Sequence, residues 1–153
     1  MRRTLLTTIA ALGVIACGGE KKAEQQPATG QPGAAPAATP AGPVVEVKMT
    51  GNGSTMAAFE PKALTIAPGT TVRFINVAGG PHNIAFWSDS IPAGAEAGLA
   101  AAMPNSIDKL SGQFLTDPNQ TYEVSFANAP KGTYKGYCVP HAGLGMKLTI
   151  TVQ

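Results

Sequence analysis

From Val44 onward, apolar and polar positions alternate in twos rather than recurring every three or four residues. Val45, Val47 and Met49 alternate with Glu46 and Lys48, and Val72 and Phe74 with Thr71 and Arg73. Tyr122, Val124 and Phe126 alternate with Glu123 and Ser125, and Leu148, Ile150 and Val152 with Lys147, Thr149 and Thr151. A period of two sets one face of a strand against a core and the other in water, so these segments predict half-buried antiparallel strands. Pro68-Gly69, Gly79-Gly80-Pro81, Asp117-Pro118-Asn119 and Pro130-Lys131-Gly132 supply the turns between them. Short strands at this spacing predict an all-β fold, a Greek-key β-sandwich. The stretch from Ala93 to Met103 is Ala-rich but carries Gly94 and Gly98. It predicts one short helix or irregular excursion.

The same alternation orients a cysteine. Through Gly132-Thr133-Tyr134-Lys135-Gly136-Tyr137-Cys138, counting in twos puts Tyr134, Gly136 and Cys138 on one face. Lys135 and Tyr137 fall on the other. A lysine is a poor core residue, so Cys138 points inward at a strand end and Tyr137 points out.

The N-terminal residues follow a different logic. Met1-Arg2-Arg3 is a basic start, and Thr4 to Ala16 is an apolar run too short to cross a bilayer as a mature helix. Residues 1–16 therefore predict an export signal. Its end, Val14-Ile15-Ala16-Cys17, resembles the lipobox of bacterial lipoproteins, which implies cleavage before Cys17 and a lipid on that residue. Between Gly18 and Pro43 stand five Pro, five Gly and seven Ala, with no Val, Ile, Leu, Met or aromatic residue. Such a composition buries too little apolar surface to offset its ordering entropy, so residues 17–43 predict a tether behind the lipidated cysteine. Extended, it would reach about 80 Å, and as a flexible coil about 30 Å. Residues 44–153 form the single domain.

That domain carries seven Lys/Arg and seven Asp/Glu. Its neutrality, and the lack of any basic run interleaved with aromatics, exclude nucleic acid as a partner. With Cys17 acylated, only Cys138 remains of the two cysteines, so no disulfide forms. A lone thiol in an oxidising compartment needs an occupant, and a metal ion is one.

Candidate metal donors are few and closely spaced. Cys138, His141 and Met146 fall within Cys138-Val139-Pro140-His141-Ala142-Gly143-Leu144-Gly145-Met146, and His82, the second of only two histidines, lies in Gly79-Gly80-Pro81-His82-Asn83. Two imidazoles, one thiolate and a weak axial thioether make the donor set of a blue-copper electron-transfer centre. Structural zinc sites take more thiolates, and iron–sulfur clusters need several cysteines. Pro140 stiffens the span between two donors, and Gly143 and Gly145 permit the tight return to Met146. Met49, Met56 and Met103 read as packing residues, and Trp87 as core.

Beyond the donors, the residues from Val44 to Gln153 resemble the cupredoxins, and among them the plastocyanins. The resemblance rests on Gly132 through His141 with Gly143-x-Gly145-Met146, on Pro68-Gly69-Thr70-Thr71-Val72-Arg73-Phe74, on Pro81-His82-Asn83 and on Ile91-Pro92-Ala93-Gly94. It implies a cupredoxin-like sandwich holding one copper ion, cycling between Cu(I) and Cu(II), on His82, Cys138, His141 and Met146. It further implies that the Asn83 N–H bonds the Cys138 sulfur while its side chain ties the two donor loops. His141 would then be the electron exit, amid a flat patch of Leu144, Ala142, Gly80 and Pro81. Tyr137, beside Cys138, would be a second route.

Four departures from that pattern stand out, and Gly80, standing before Pro81-His82 where the family carries a bulky residue, is one of them. Gly136 occupies an inward position where the family carries an aromatic, and the gap calls for a large side chain, Trp87 or Phe114. The acidic patches of plant-type plastocyanins are missing, since Asp89, Glu96 and Asp108 are scattered. The segment from Ala95 to Thr116 is longer than the family's and carries no motif. The expected function is a membrane-tethered, extracytoplasmic one-electron carrier, monomeric, serving redox proteins such as a cytochrome or a membrane electron-transfer complex. The alternative is a copper-delivery or copper-buffering lipoprotein. Copper enzymes need further ligands, which two histidines cannot supply.

Overall fold

The computed structural model describes residues 42–153. The export signal, Cys17 and nearly all of the tether lie outside the described residues. The periodicity of two does become strands: β1 (Val44–Gly51), β2 (Ala57–Glu60), β3 (Ala63–Ile66), β4 (Thr71–Asn76), β5 (Ala85–Phe86), β6 (Thr121–Ser125), β7 (Gly132–Tyr137) and β8 (Lys147–Val152). They form two four-stranded sheets, ordered β2-β1-β4-β6 and β3-β8-β7-β5. The architecture is an all-β, Greek-key sandwich. A single α-helix among the described residues, α1 (Ala95–Ala101), occupies the excursion between β5 and β6.

The expectation of purely antiparallel strands is corrected. β1 runs parallel to β4, with Val47 opposite Phe74, and β3 runs parallel to β8, with Leu64 opposite Ile150. The remaining pairings are antiparallel. Alternation fixes which face of a strand is buried, but not the direction of its neighbour. Direction follows from how the chain crosses between sheets, and both parallel pairs join strands that are not consecutive.

The inner faces close on each other as alternation requires. Val47, Met49, Phe59, Phe74, Val124, Phe126, Tyr134 and Ile150 are wholly buried. Each such side chain contributes roughly 1.5–3 kcal/mol of burial. Phe126, just beyond β6, meets Tyr134 of β7 edge to face with ring centroids 5.3 Å apart, so the contact fastens one sheet to the other. The Tyr134 hydroxyl donates to the Pro130 carbonyl at 2.7 Å, which satisfies its polar end.

Three expectations about packing give way. Gly136 is not covered by Trp87 or Phe114. A Cβ there would lie 2.8 Å from Ile84 Cδ1, 3.0 Å from the Ala85 carbonyl oxygen and 3.4 Å from Phe86 Cε1, so the neighbouring strand itself fills the space. Trp87 is half-buried rather than core, because it follows the inward Phe86 and turns outward, while Phe114 stays 42% exposed. Met56 is no packing residue either. It sits in the β1–β2 turn at 64% exposure, whereas Met49 and Met103 are buried.

The motif-free segment from Ala95 to Thr116 acquires a role. Leu99, Met103 and Leu110 anchor it to the core, and residues 110–115 run along the chain from His82 to Phe86. His82 and Leu115 exchange both backbone hydrogen bonds, at 3.0 and 2.8 Å. Phe86 N–H bonds Leu110 and Gly112 N–H bonds Ile84, each at 2.9 Å. The segment thereby covers backbone that would otherwise be an open edge.

Candidate metal centre

His82 lies on the connection between β4 and β5, is wholly buried, and is held by its two backbone bonds to Leu115. Its Nε2–H donates to the Ala78 carbonyl at 3.0 Å. A carbonyl can only accept, so in the neutral ring the lone pair is on Nδ1, and Nδ1 lies 3.7 Å from Cys138 Sγ. Burial holds the His82 imidazolium below its usual range; the neighbouring His141 adds to this, against the opposing Ala78 carbonyl. The protein thus keeps this ring neutral and aimed, as a metal-binding imidazole must be.

Cys138 follows the last residue of β7, faces inward and has no exposure. Its sulfur accepts the Asn83 N–H at 3.4 Å and lies 3.5 Å from His141 Nδ1. Burial pushes the thiol up, opposed by the backbone N–H groups of Asn83 and His141. A buried thiolate therefore calls for a cation, which coordination supplies.

The loop from Cys138 to Met146 closes on itself. Cys138 N–H bonds the Met146 carbonyl at 3.1 Å, and His141 N–H bonds the Cys138 carbonyl at 3.2 Å. Met146 N–H in turn bonds the His141 carbonyl at 3.2 Å. Between them Ala142–Leu144 form a single 3-10 turn. Gly145 leaves it with φ +76°, a left-handed conformation that suits glycine, whereas Gly143 has no such requirement. Met146 is brought beside both other donors of its loop and is buried at 1% exposure. The His82 and His141 ring centroids are 4.7 Å apart.

Asn83 joins the two donor segments. Its Oδ1 accepts the Val139 N–H at 2.9 Å, and its Nδ2 donates to Ser111 Oγ at 3.0 Å and to the Gly112 carbonyl at 3.1 Å. Ala78, Ser111, Gly112 and Leu115 were not singled out in the sequence. Three of the four act through backbone carbonyls, which leave no mark in side-chain identity.

Pro81, Pro140 and Leu144 are all exposed, as is Val139 at 41%, so the surface nearest the donor loops is apolar; His141 itself retains 6% exposure. Tyr137 lies on the outer face of β7, half-buried beneath Trp87, with ring centroids 4.4 Å apart and planes 16° from parallel.

The donors test well against a single ion. Bonds of about 2.0 Å to imidazole nitrogen and about 2.3 Å to thiolate sulfur, spread about 120° apart, separate two donors by about 3.7 Å. The observed separations are 3.7 and 3.5 Å, and one donor atom from each of His82, Cys138 and His141 falls within 4.8 Å of the others. One thiolate with two imidazoles and a thioether suits copper rather than magnesium or calcium, which take oxygen. A Greek-key sandwich with this donor group at one end is a cupredoxin.

Comparison with known proteins gives the same answer. Residues 45–153 match the family model of copper binding proteins, the plastocyanin/azurin family. Plastocyanin A/B of Petroselinum crispum is 44% identical over 96 residues, covering 62% of this chain and 87% of the relative. Plastocyanin of Rumex obtusifolius is 39% identical over 109 residues, 71% of this chain and all of the relative. The oxidised plastocyanin structure from Dryopteris crassirhizoma superposes with a TM-score of 0.53 at 30% identity, over 71% of this chain and 100% of that one. The chain belongs to the plastocyanin/azurin family of copper proteins, and within it resembles the plastocyanins. Its cofactor is copper.

Proposed function

We propose that this protein is a mobile one-electron carrier holding a single copper ion on His82, Cys138, His141 and Met146. The observation that carries the reading is the buried group of three donors whose aim is set by the protein itself. Bound copper supplies a Cu(I)/Cu(II) couple. The chain's own residues do the rest. Ala78 fixes the His82 tautomer, the Asn83 N–H draws charge from the Cys138 sulfur, and the Asn83 side chain locks the two donor segments together. Such outer contacts hold donor geometry and tune potential. Rigid donors in a dry pocket reorganise little when charge changes, which favours rapid exchange.

His141 is the exit, because it is the histidine with residual exposure and its loop is rimmed by Leu144, Val139 and Pro140. Pro81 belongs to the same exit surface, and Tyr137 offers a second one. Delivery of copper to another protein is disfavoured by donors this deeply buried. The N-terminal sequence supports export, acylation of Cys17 and residence on the extracytoplasmic side of a membrane, with redox partners reached on the tether.

A visible spectrum tests the centre. Copper-loaded wild type should show an intense blue charge-transfer band that a one-electron reductant bleaches, and Cys138→Ser should lack it. A colourless oxidised, copper-loaded wild type refutes the assignment.

A further inference from the structure

The two faces of the sandwich differ in charge. Across β2-β1-β4-β6 stand Glu46, Lys48, Glu60, Arg73 and Glu123, and Arg73 is occupied by Glu123 at 2.8 Å and Glu46 at 3.5 Å. Across β3-β8-β7-β5 the only charged residues are Lys135 and Lys147, with no carboxylate on any of the four strands. Both lysines are exposed, and neither has an ion-pair partner among the described residues. Asp89, two residues after Trp87, lies in the short turn Ser88–Ser90, where its carboxylate accepts the Ser90 hydroxyl.

These lysines frame the aromatic pair. Lys147 stands opposite Tyr137 in the β7–β8 register, and Lys135 precedes Tyr137 by two residues on the same face. Trp87 is fixed beside them by its N–H to the Lys135 carbonyl at 3.2 Å, and Lys147 Nζ lies 5.8 Å from its ring centroid. A tryptophan stacked flat on a tyrosine, with cations at two sides, presents a rigid surface of aromatic area and positive charge. Tyr137 is the residue before Cys138.

We infer that the outer face of β7 and β8, made of Lys135, Tyr137, Lys147 and Trp87, is a docking surface for a redox protein with a carboxylate-rich contact face. The inference rests on the electron-carrier reading and adds the chemistry of the partner to it. Charge complementarity selects the occupant: two unpaired cations without a compensating acid attract an anionic surface, and their field raises the encounter rate at low salt. A protein is favoured over an anionic membrane because the cations surround aromatics one residue from the buried thiolate. That arrangement serves a partner receiving electrons and gives nothing to lipid.

The test reads small redox reagents of opposite charge against the copper-loaded full chain at low ionic strength. Oxidation by anionic hexacyanoferrate(III) and by cationic tris(1,10-phenanthroline)cobalt(III) is followed by stopped flow in wild type, Lys135→Glu/Lys147→Glu and Lys48→Glu, the last on the opposite face. The ratio of the anionic to the cationic rate should fall about five- to tenfold in the double variant and hold in Lys48→Glu. The visible band should be unchanged in both. Poly-L-glutamate added to the reduced protein should shift the amide signals of Lys135, Tyr137 and Lys147 and the Trp87 indole. An unchanged rate ratio, or poly-L-glutamate shifts confined to the loop around Leu144, overturns the proposal. Binding through these lysines to phosphatidylglycerol vesicles but not to poly-L-glutamate overturns it in favour of a membrane. If wild type shows the blue band and oxidises normally while the ratio is insensitive, the docking face alone fails. If wild type exchanges electrons with neither reagent, the carrier reading fails and takes the docking face with it.

Discussion

The backbone N–H of Asn83 points at the Cys138 sulfur from 3.4 Å, while the side-chain oxygen of the same residue accepts the N–H of Val139 at 2.9 Å. One residue thus holds both the donor atom and the chain immediately after it. Its amide nitrogen is anchored in turn on Ser111 and Gly112, so the donor segments and the excursion after α1 meet at a single side chain.

Asn83→Ala should therefore loosen the centre without touching a donor. It removes three hydrogen bonds and leaves buried groups unpaired, for an expected loss of about 2–4 kcal/mol. Denaturant unfolding of the full chain measures the loss. The visible band should persist but weaken or shift, since the donor residues are intact. A variant as stable as wild type contradicts the joining role.

Gly136 is a tight position rather than a gap. Gly136→Ala would push a methyl to 2.8 Å from Ile84 Cδ1 and 3.0 Å from the Ala85 carbonyl oxygen, and overpacking of this kind costs about 1–3 kcal/mol. Shortening the neighbour with Ile84→Val should recover part of that loss, so the two substitutions should be non-additive in a double-mutant cycle. Additivity would place the strain at the Ala85 backbone instead.

The thioether of Met146 is soft and favours Cu(I). Met146→Gln substitutes a harder oxygen, which stabilises Cu(II) and should lower the reduction potential while the remaining donors retain the metal. Voltammetry with metal analysis distinguishes a shifted couple from an emptied site. An unchanged potential would remove Met146 from the donor set.

Cys17→Ser should release the protein from membranes or block its maturation, because stable anchoring needs more than one acyl chain on the processed cysteine. Fractionation of cells expressing each form, with mass spectrometry of the N-terminal peptide, reads this directly. A wild type found wholly in the soluble fraction would contradict the anchor.

Local order along the chain was enough to establish some of this protein. Alternation in β7 faces Tyr134, Gly136 and Cys138 inward and Lys135 outward, because successive side chains of any strand point to opposite sides. The short loop from Cys138 to Met146 brings its three donors close whatever surrounds it. Other features were decided only when the sheets packed. The parallel pairing of β1 with β4 depends on where the chain crosses between sheets, and no residue in either strand encodes it. The same holds for Trp87, whose aromatic bulk suits a core or a stack equally well, until the inward placement of Phe86 turns it onto Tyr137. It holds also for the grip on His82. Leu115 and Ala78 hold it through carbonyl oxygens that every residue possesses, so their part in the centre is a property of position in space and not of side-chain identity.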